Sequence, residues 1–223
     1  MKKQIALLLL AATLVLTSCG ASKFYAGKAA DIAPIALVSP YSHLTDAVGD
    51  FQTDYVEGPS LFNQQLISEA VSQIGLPVSK TVGFDYKKQD AAISTWMLRL
   101  SEIGAARAKD LEVPTQIVEA VKKSGCDYGL LITDVGYVKN IHEYQAELAL
   151  ESSQKVLGLL KNGELDLSKD TEACMSGVFS VIFDSRTGKP VWFGSLPRSY
   201  KNNPIDSESI IQQMEKLFKD FLK

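Results

Sequence analysis

The first apolar run of the chain, Ile5 to Leu16, is broken only by Thr13 and shows no amphipathic period. Residues 20–31 are small and polar and read as a tether. Ile32 to Val38 then reads as a short strand ended by Ser39-Pro40. The polar and aromatic stretch from Tyr41 to Pro59 reads as a long loop. A helix is expected from Ser60, an N-cap candidate, because Leu66, Ile67, Ala70, Val71 and Ile74 recur at helical spacing. Gly75 and Pro77 supply its stop. Val78 to Phe84 has the β-branched content of a strand. Ile93, Trp96, Met97, Leu100 and Ile103 predict a helix from about Asp90 to Ala108. Pro114 occupies a helix start, Ile117, Val118 and Val121 form its apolar face, and Gly125 closes it behind Lys122 and Lys123.

Tyr128 to Val138 is the most continuous apolar run after the leader and is expected as the central strand. Residues 142–161 carry mixed signals: alternation around Glu143–Leu148 favours a continuing strand, and Ser152 to Leu160 a short helix. Gly177 to Phe183 and Val191 to Ser195 read as a hairpin about the turn Asp184 to Lys189. The closing helix begins near Ser207 and carries Ile210, Ile211, Met214, Leu217, Phe218, Phe221 and Leu222. Helices interleave the first strands, so the expected fold is α/β. It is a single domain over 32–223, with a mixed sheet of about five strands under packed helices and a C-terminal β-hairpin before the final helix.

The leader changes the picture first. Lys2 and Lys3 precede an apolar run of 12 residues, short of the roughly 20 that a spanning helix needs. A basic start, a short apolar core and small residues make a secretory signal. Leu16-Thr17-Ser18-Cys19 resembles the lipobox of bacterial lipoproteins, in which the cysteine sulfur takes a diacylglycerol and cleavage frees its amine for further acylation. The expected division is therefore 1–18 signal peptide, 19–31 lipid-anchored tether and 32–223 periplasmic domain, with Cys19 the lipidated residue. Gly20 is not an acidic retention signal, so the outer membrane is expected, on its periplasmic face.

Composition then excludes several classes. The 223 residues are 46% hydrophobic and 22% charged with a net charge of −3, which fits neither a polytopic membrane protein nor a disordered chain. Loss of residues 1–18, with Lys2 and Lys3, leaves 205 residues at −5. A pI near 5.5 argues against a nucleic-acid partner held by a basic surface. Cys126 and Cys174 could form a disulfide in an oxidising compartment. Both border apolar runs, however, where free cysteine packs as a small hydrophobe.

Ile35 to Pro40, Gly125 to Ile132, and the hairpin Asp184-Ser185-Arg186-Thr187-Gly188-Lys189-Pro190-Val191-Trp192 also carry a family likeness. With the lipobox-like segment and the final helix, they resemble bacterial envelope lipoproteins of the anticodon-binding-domain-like α/β fold. That group includes the curli-secretion lipoprotein, the activators of penicillin-binding proteins and the N-terminal domain of the Tol-Pal translocation protein. The resemblance implies a fold and an envelope setting; none of these motifs is catalytic in that family. The chain departs from the family pattern by a helix near 90–108 and an insert near 140–172.

The remaining chemistry is sparse. His43 precedes Asp46, Asp50, Asp54 and Glu57, from which a hydrolytic or metal site can be drawn, but Gly49 and Gly58 oppose the helix that would align them. His142 beside Glu143 reads as a surface pair. No nucleophile elbow, phosphate-cradling loop or dinucleotide fingerprint occurs, so no enzyme, cofactor, metal or nucleotide is expected. Tyr41, Phe51 and Tyr55 are the expected partner-binding residues, since aromatics are enriched at interfaces. Trp96 and Met97 are expected in the core. The expected role is an accessory or scaffold lipoprotein that binds another envelope protein. A periplasmic cell-wall hydrolase or a small-ligand carrier is the alternative.

Overall fold

Eight strands pair into one mixed sheet in the computed structural model, which describes residues 23–25, 31–48, 51–89, 91–139 and 174–222. The strands are β1 (Lys23–Tyr25), β2 (Ile35–Val38), β3 (Tyr41–Val48), β4 (Phe51–Tyr55), β5 (Val78–Val82), β6 (Tyr128–Val138), β7 (Cys174–Asp184) and β8 (Lys189–Ser199). The helices are α1 (Glu57–Gln73), α2 (Ala91–Arg99), α3 (Ala105–Ala108), α4 (Thr115–Ser124) and α5 (Ser207–Phe218). Six strands lie in the order β1-β8-β7-β6-β2-β5, while β3 pairs with β6 and β4 with β3. The expected mixed α/β architecture is the one observed.

Tyr128 to Val138 is the central strand, as its apolar run predicts. One edge of β6 takes two partners in succession. Ile35 to Leu37 of β2 runs parallel to its first half, and Tyr41 to Asp46 of β3 runs parallel to its second. Along its other edge, β7 pairs antiparallel with all 11 residues. Glycine lets the two backbones meet: a Cβ on Gly136 would stand 2.0 Å from the Met175 carbonyl oxygen.

Strand alternation divides the core between two layers. Ile35, Leu37, Leu130, Ile132, Val178, Ile182 and Trp192 face α1 and α5. Ala36, Val38, Leu131, Val181, Phe183 and Phe193 face α2, α3 and α4. Trp192 stacks on Phe218 at a ring separation of 4.8 Å, and Met97 is fully buried in the second layer with Trp96 packed against it. Among the described residues no helix is long and apolar enough to cross a membrane.

Helix ends follow the expected chemistry at α4 and α5. Gly125 closes α4 with φ +78°, and the Asp206 carboxylate accepts the Ser209 N–H at 2.8 Å to cap α5. In the hairpin turn, the Gly188 N–H donates to the Asp184 carbonyl at 2.8 Å with φ +70°.

Three expectations need correction. Tyr41 to Pro59 is not a loop: it holds β3, β4 and the first turn of α1. β3 mixes polar and apolar residues on both faces, and its partner β6 lies more than eighty residues away, so no local period announces it. Ser60 is not an N-cap; it is buried inside α1, and its Oγ accepts the Leu44 N–H at 3.1 Å. The helix expected over 90–108 ends at Arg99 and passes through a 3₁₀ turn into extended backbone at Ile103, before Gly104 starts the one-turn α3. Cys126 and Cys174, whose places beside apolar runs favoured packed thiols over a disulfide, are free thiols. Tyr128 pairs with Asp184 and Val138 with Cys174, so the two cysteines stand at opposite ends of one ladder. Some ten residues at ~3.3 Å each hold them about 30 Å apart.

Within the expected tether, Lys23–Tyr25 pairs with β8 as a sheet edge. The expectations for Cys19, His142 and residues 142–172 fall outside the described residues.

Candidate functional site

Two adjacent parallel strands, β2 and β5, lead to helices on opposite faces of the sheet. The chain leaves β2 through the β3–β4 hairpin into α1, and it leaves β5 toward α2. Such divergence opens a crevice at the carboxyl ends of the strands, the place where open α/β sheets receive ligands. Here it is a cleft of about 730 Å³ lined from both sides. Tyr41, Ser42, His43 and Tyr55 come from the hairpin, Leu61 and Gln64 from α1, Gly83 to Lys87 from the exit of β5, and Ser94 from α2.

Ser39 fastens the two strand exits together. Its N–H donates to the Val82 carbonyl at 3.0 Å and its Oγ accepts the Phe84 N–H at 3.0 Å. The Tyr86 hydroxyl donates to the Ser39 carbonyl at 2.8 Å. That bond fixes the ring from which the aromatic wall is built. Phe84 meets Tyr86 edge-on at 4.9 Å, and Tyr41 meets Tyr86 edge-on at 5.0 Å. His43 lies 6.5 Å from Tyr41 and 5.3 Å from Tyr55, with its ring nearly parallel to both. Edge-to-face and offset geometries of this kind are the favoured ones for π-systems.

Burial disfavours the charged forms of Tyr41, His43 and Tyr86 in this wall. Burial pushes the Tyr41 phenol upward, more than the hydrogen bond with Ser94 lowers it, and burial raises the Tyr86 phenol strongly. Burial chiefly, and the positive charge of Arg198 secondarily, hold the His43 imidazole below its usual value. Charge is confined to the rim. Lys87 is ion-paired with Glu57, and Lys88 lies 3.0 Å from Asp85, whose carboxyl is lowered by that contact. The arrangement offers flat aromatic faces, neutral phenol and imidazole hydrogen-bonding groups, and a zwitterionic lip.

The hairpin thus brings together Tyr41 and Tyr55 of the expected binding residues, with His43 between them. Phe51 lies on β4, and its side chain is outside the described residues. His43 and Asp46 lie three positions apart on a regular strand and so project from opposite faces, and Glu57 is engaged with Lys87. Among the described residues no three of His, Cys, Asp and Glu gather as a metal would need.

Phe84, Tyr86 and Leu61 complete the cleft and were not anticipated from sequence. The available signal was the pair of aromatics at alternate positions immediately after the Val78–Val82 strand.

No protein-family model matches the chain, and no curated protein sequence matches it. Among solved structures it is similar to the PelC dodecamer from Paraburkholderia phytofirmans, at 11% identity and a TM-score of 0.39 over 90% of this chain and 95% of that one. A methionine-for-leucine variant of the same dodecamer gives 10% identity and a TM-score of 0.40 over 90% and 97%.

Proposed function

We propose that this chain is a lipid-anchored envelope protein that binds a partner protein through the cleft at the exits of β2 and β5. The observation that carries the reading is the five-ring wall, which continues on the α1 side of its charged lip into exposed apolar surface. Tyr55 is 39% exposed, Leu61 50% and Phe62 48%, so apolar surface continues past the cleft mouth along the start of α1. A cavity ligand would leave that rim wet. A protein segment that inserts a side chain into the cleft and lies on the rim would cover both.

A photo-crosslinking residue in place of Leu61, activated in intact membranes, is expected to capture a discrete partner. Tyr55→Ala is expected to weaken that association by about tenfold or more, the loss typical of an aromatic anchor. A chain that stays solitary in membranes under this probe would overturn the proposal.

The cleft volume also falls within the usual range for small-molecule sites, which favours a ligand carrier as the second reading. A reproducible small-molecule mass retained by purified protein and lost in Tyr55→Ala would select it. The anchor is supported by the lipobox-like segment ending at Cys19. An acyl mass on that residue, and loss of outer-membrane attachment in Cys19→Ala, are its expected signs.

A further inference from the structure

A second cleft opens at the far edge of the sheet, between the end of β8 and α5, with a volume of about 440 Å³. Arg198, Lys201 and Lys216 line it, with Ser199 and Gln212 between them, and among the described residues no carboxylate lines it, although Glu102 shares an adjoining pocket with Arg198. None of the three cations forms an ion pair with a described residue. This concentration stands out in a chain of net negative charge. A pocket so built suits a compact oxyanion, since Arg and Lys donate charge-assisted hydrogen bonds to phosphate.

Topology indicates where that oxyanion comes from. β1 runs antiparallel to β8, with Lys23 opposite Gly194 and Tyr25 opposite Trp192. The amino end of β1 therefore points toward the Arg198 end of β8. Cys19 precedes Lys23 by four residues and lies within about 14 Å of it whatever path the chain takes. Gly194 and Arg198 are likewise four strand residues apart, about 14 Å. An acyl chain on Cys19 would thus keep Lys23, and the stretch of β8 that it pairs with, within about 14 Å of the bilayer surface. The connection after β8 also presents Tyr200, 53% exposed, between Arg198 and Lys201 and edge-on to Tyr137, and Ile205, 43% exposed, four residues after Lys201. Tyrosine settles at the headgroup level of membranes, and basic residues settle on anionic lipid.

We propose that the β8–α5 end docks on the membrane surface, with Arg198, Lys201 and Lys216 receiving the phosphate of an anionic phospholipid headgroup while Tyr200 and Ile205 enter the interface. The inference rests on the reading of Cys19 as acylated. The acyl chain supplies attachment; the cationic face sets the attitude of the domain on the surface.

The test uses the full chain, purified from membranes with its acyl group and returned to vesicles. Tyr200→Trp adds a fluorophore at the docking face, and brominated phospholipid quenches it on contact; the parent chain, with Trp96 and Trp192, supplies the background. Strong extra quenching is expected in phosphatidylglycerol vesicles and little in phosphatidylcholine vesicles. Charge reversal at all three cations (Arg198→Glu, Lys201→Glu, Lys216→Glu) is expected to leave the protein attached but lower the engaged-to-free ratio on the order of 100-fold. All three side chains are exposed, and the lipid comparison on the otherwise unaltered chain needs no charge variant.

Equal quenching in the two vesicle types, or quenching indifferent to charge reversal, would overturn the proposal. Binding of inorganic phosphate at the three cations, with no extra quenching in phosphatidylglycerol vesicles, would assign the cleft to free phosphate and overturn the headgroup source. Mass analysis of the same preparation separates the two readings. An unmodified Cys19 with contact intact defeats lipidation alone, and an acylated chain without contact defeats this inference alone.

Discussion

Asp134 is the residue where core and cleft meet. It projects from β6 toward α1, fully buried, and its Oδ2 accepts the Asn63 Nδ2–H at 3.0 Å. Asn63 sits on α1 between the cleft residues Leu61 and Gln64 and also donates to the Pro204 carbonyl at 2.6 Å. Ser42, which lines the cleft, is the β3 partner of Asp134. Burial outweighs these hydrogen bonds and pushes the Asp134 carboxyl up to about 7, from an ordinary value of 3.8. The folded protein therefore holds a proton there that the unfolded chain has already released. Stability from this group is full below the unfolded value and falls as pH rises through the window toward 7. Asp134→Asn retains the shape and the acceptor without the charge. It is expected to gain stability over the parent at pH 8 but much less at pH 5, by a few kcal/mol at most. Urea unfolding of both chains at the two pH values checks this; an equal difference at both would remove Asp134 from the account.

At the scale of elements, the β3–β4 hairpin is tied to α1 by a buried bond from the Leu44 N–H to Ser60 Oγ, beside the bond from the Val56 N–H to the Leu44 carbonyl. Ser60→Ala strands the Leu44 donor, and an unsatisfied buried N–H costs about 1–3 kcal/mol. Thermal unfolding should show the loss, and partner capture at Leu61 should weaken with it, because hairpin and helix both line the cleft. The same bond explains what sequence concealed. A serine ahead of an apolar helical stripe reads as a cap, yet its hydroxyl is used sixteen residues away and the helix begins earlier, at Glu57. β6, α4, α5 and the turn at Asp184 were legible because local period, capping residues and tertiary partners all agree there. β3 and β4 were not, since distant pairing holds them. Likewise Tyr41 and Tyr55 could be named as surface-seeking aromatics, whereas Phe84 and Tyr86 join them only because β5 comes to lie beside β2.

For the whole molecule, the long β6–β7 ladder sets the distances that matter. It keeps Cys126 and Cys174 at its two ends, so addition of a reductant is expected to leave Tm unchanged. A disulfide closing that loop would contribute about 4 kcal/mol, and its removal would be plain in a thermal melt. The ladder also lies between the aromatic cleft beside β3 and the cationic cleft beside β8, near enough for the Arg198 charge to act on His43. Net charge hides this grouping: a chain at −3 gathers three cations, none ion-paired with a described residue, near the edge where β1 is attached.

That edge strand has a mechanical meaning. Hydrogen bonds between antiparallel strands stand across the strand axis. A pull on the chain ahead of Lys23, directed along β1, would load its bonds to β8 together rather than peel them one by one. Drag on a partner held in the aromatic cleft would then reach the bilayer through a shear joint. Its three residue pairs form the first joint to slip, ahead of the eleven-residue ladder behind it.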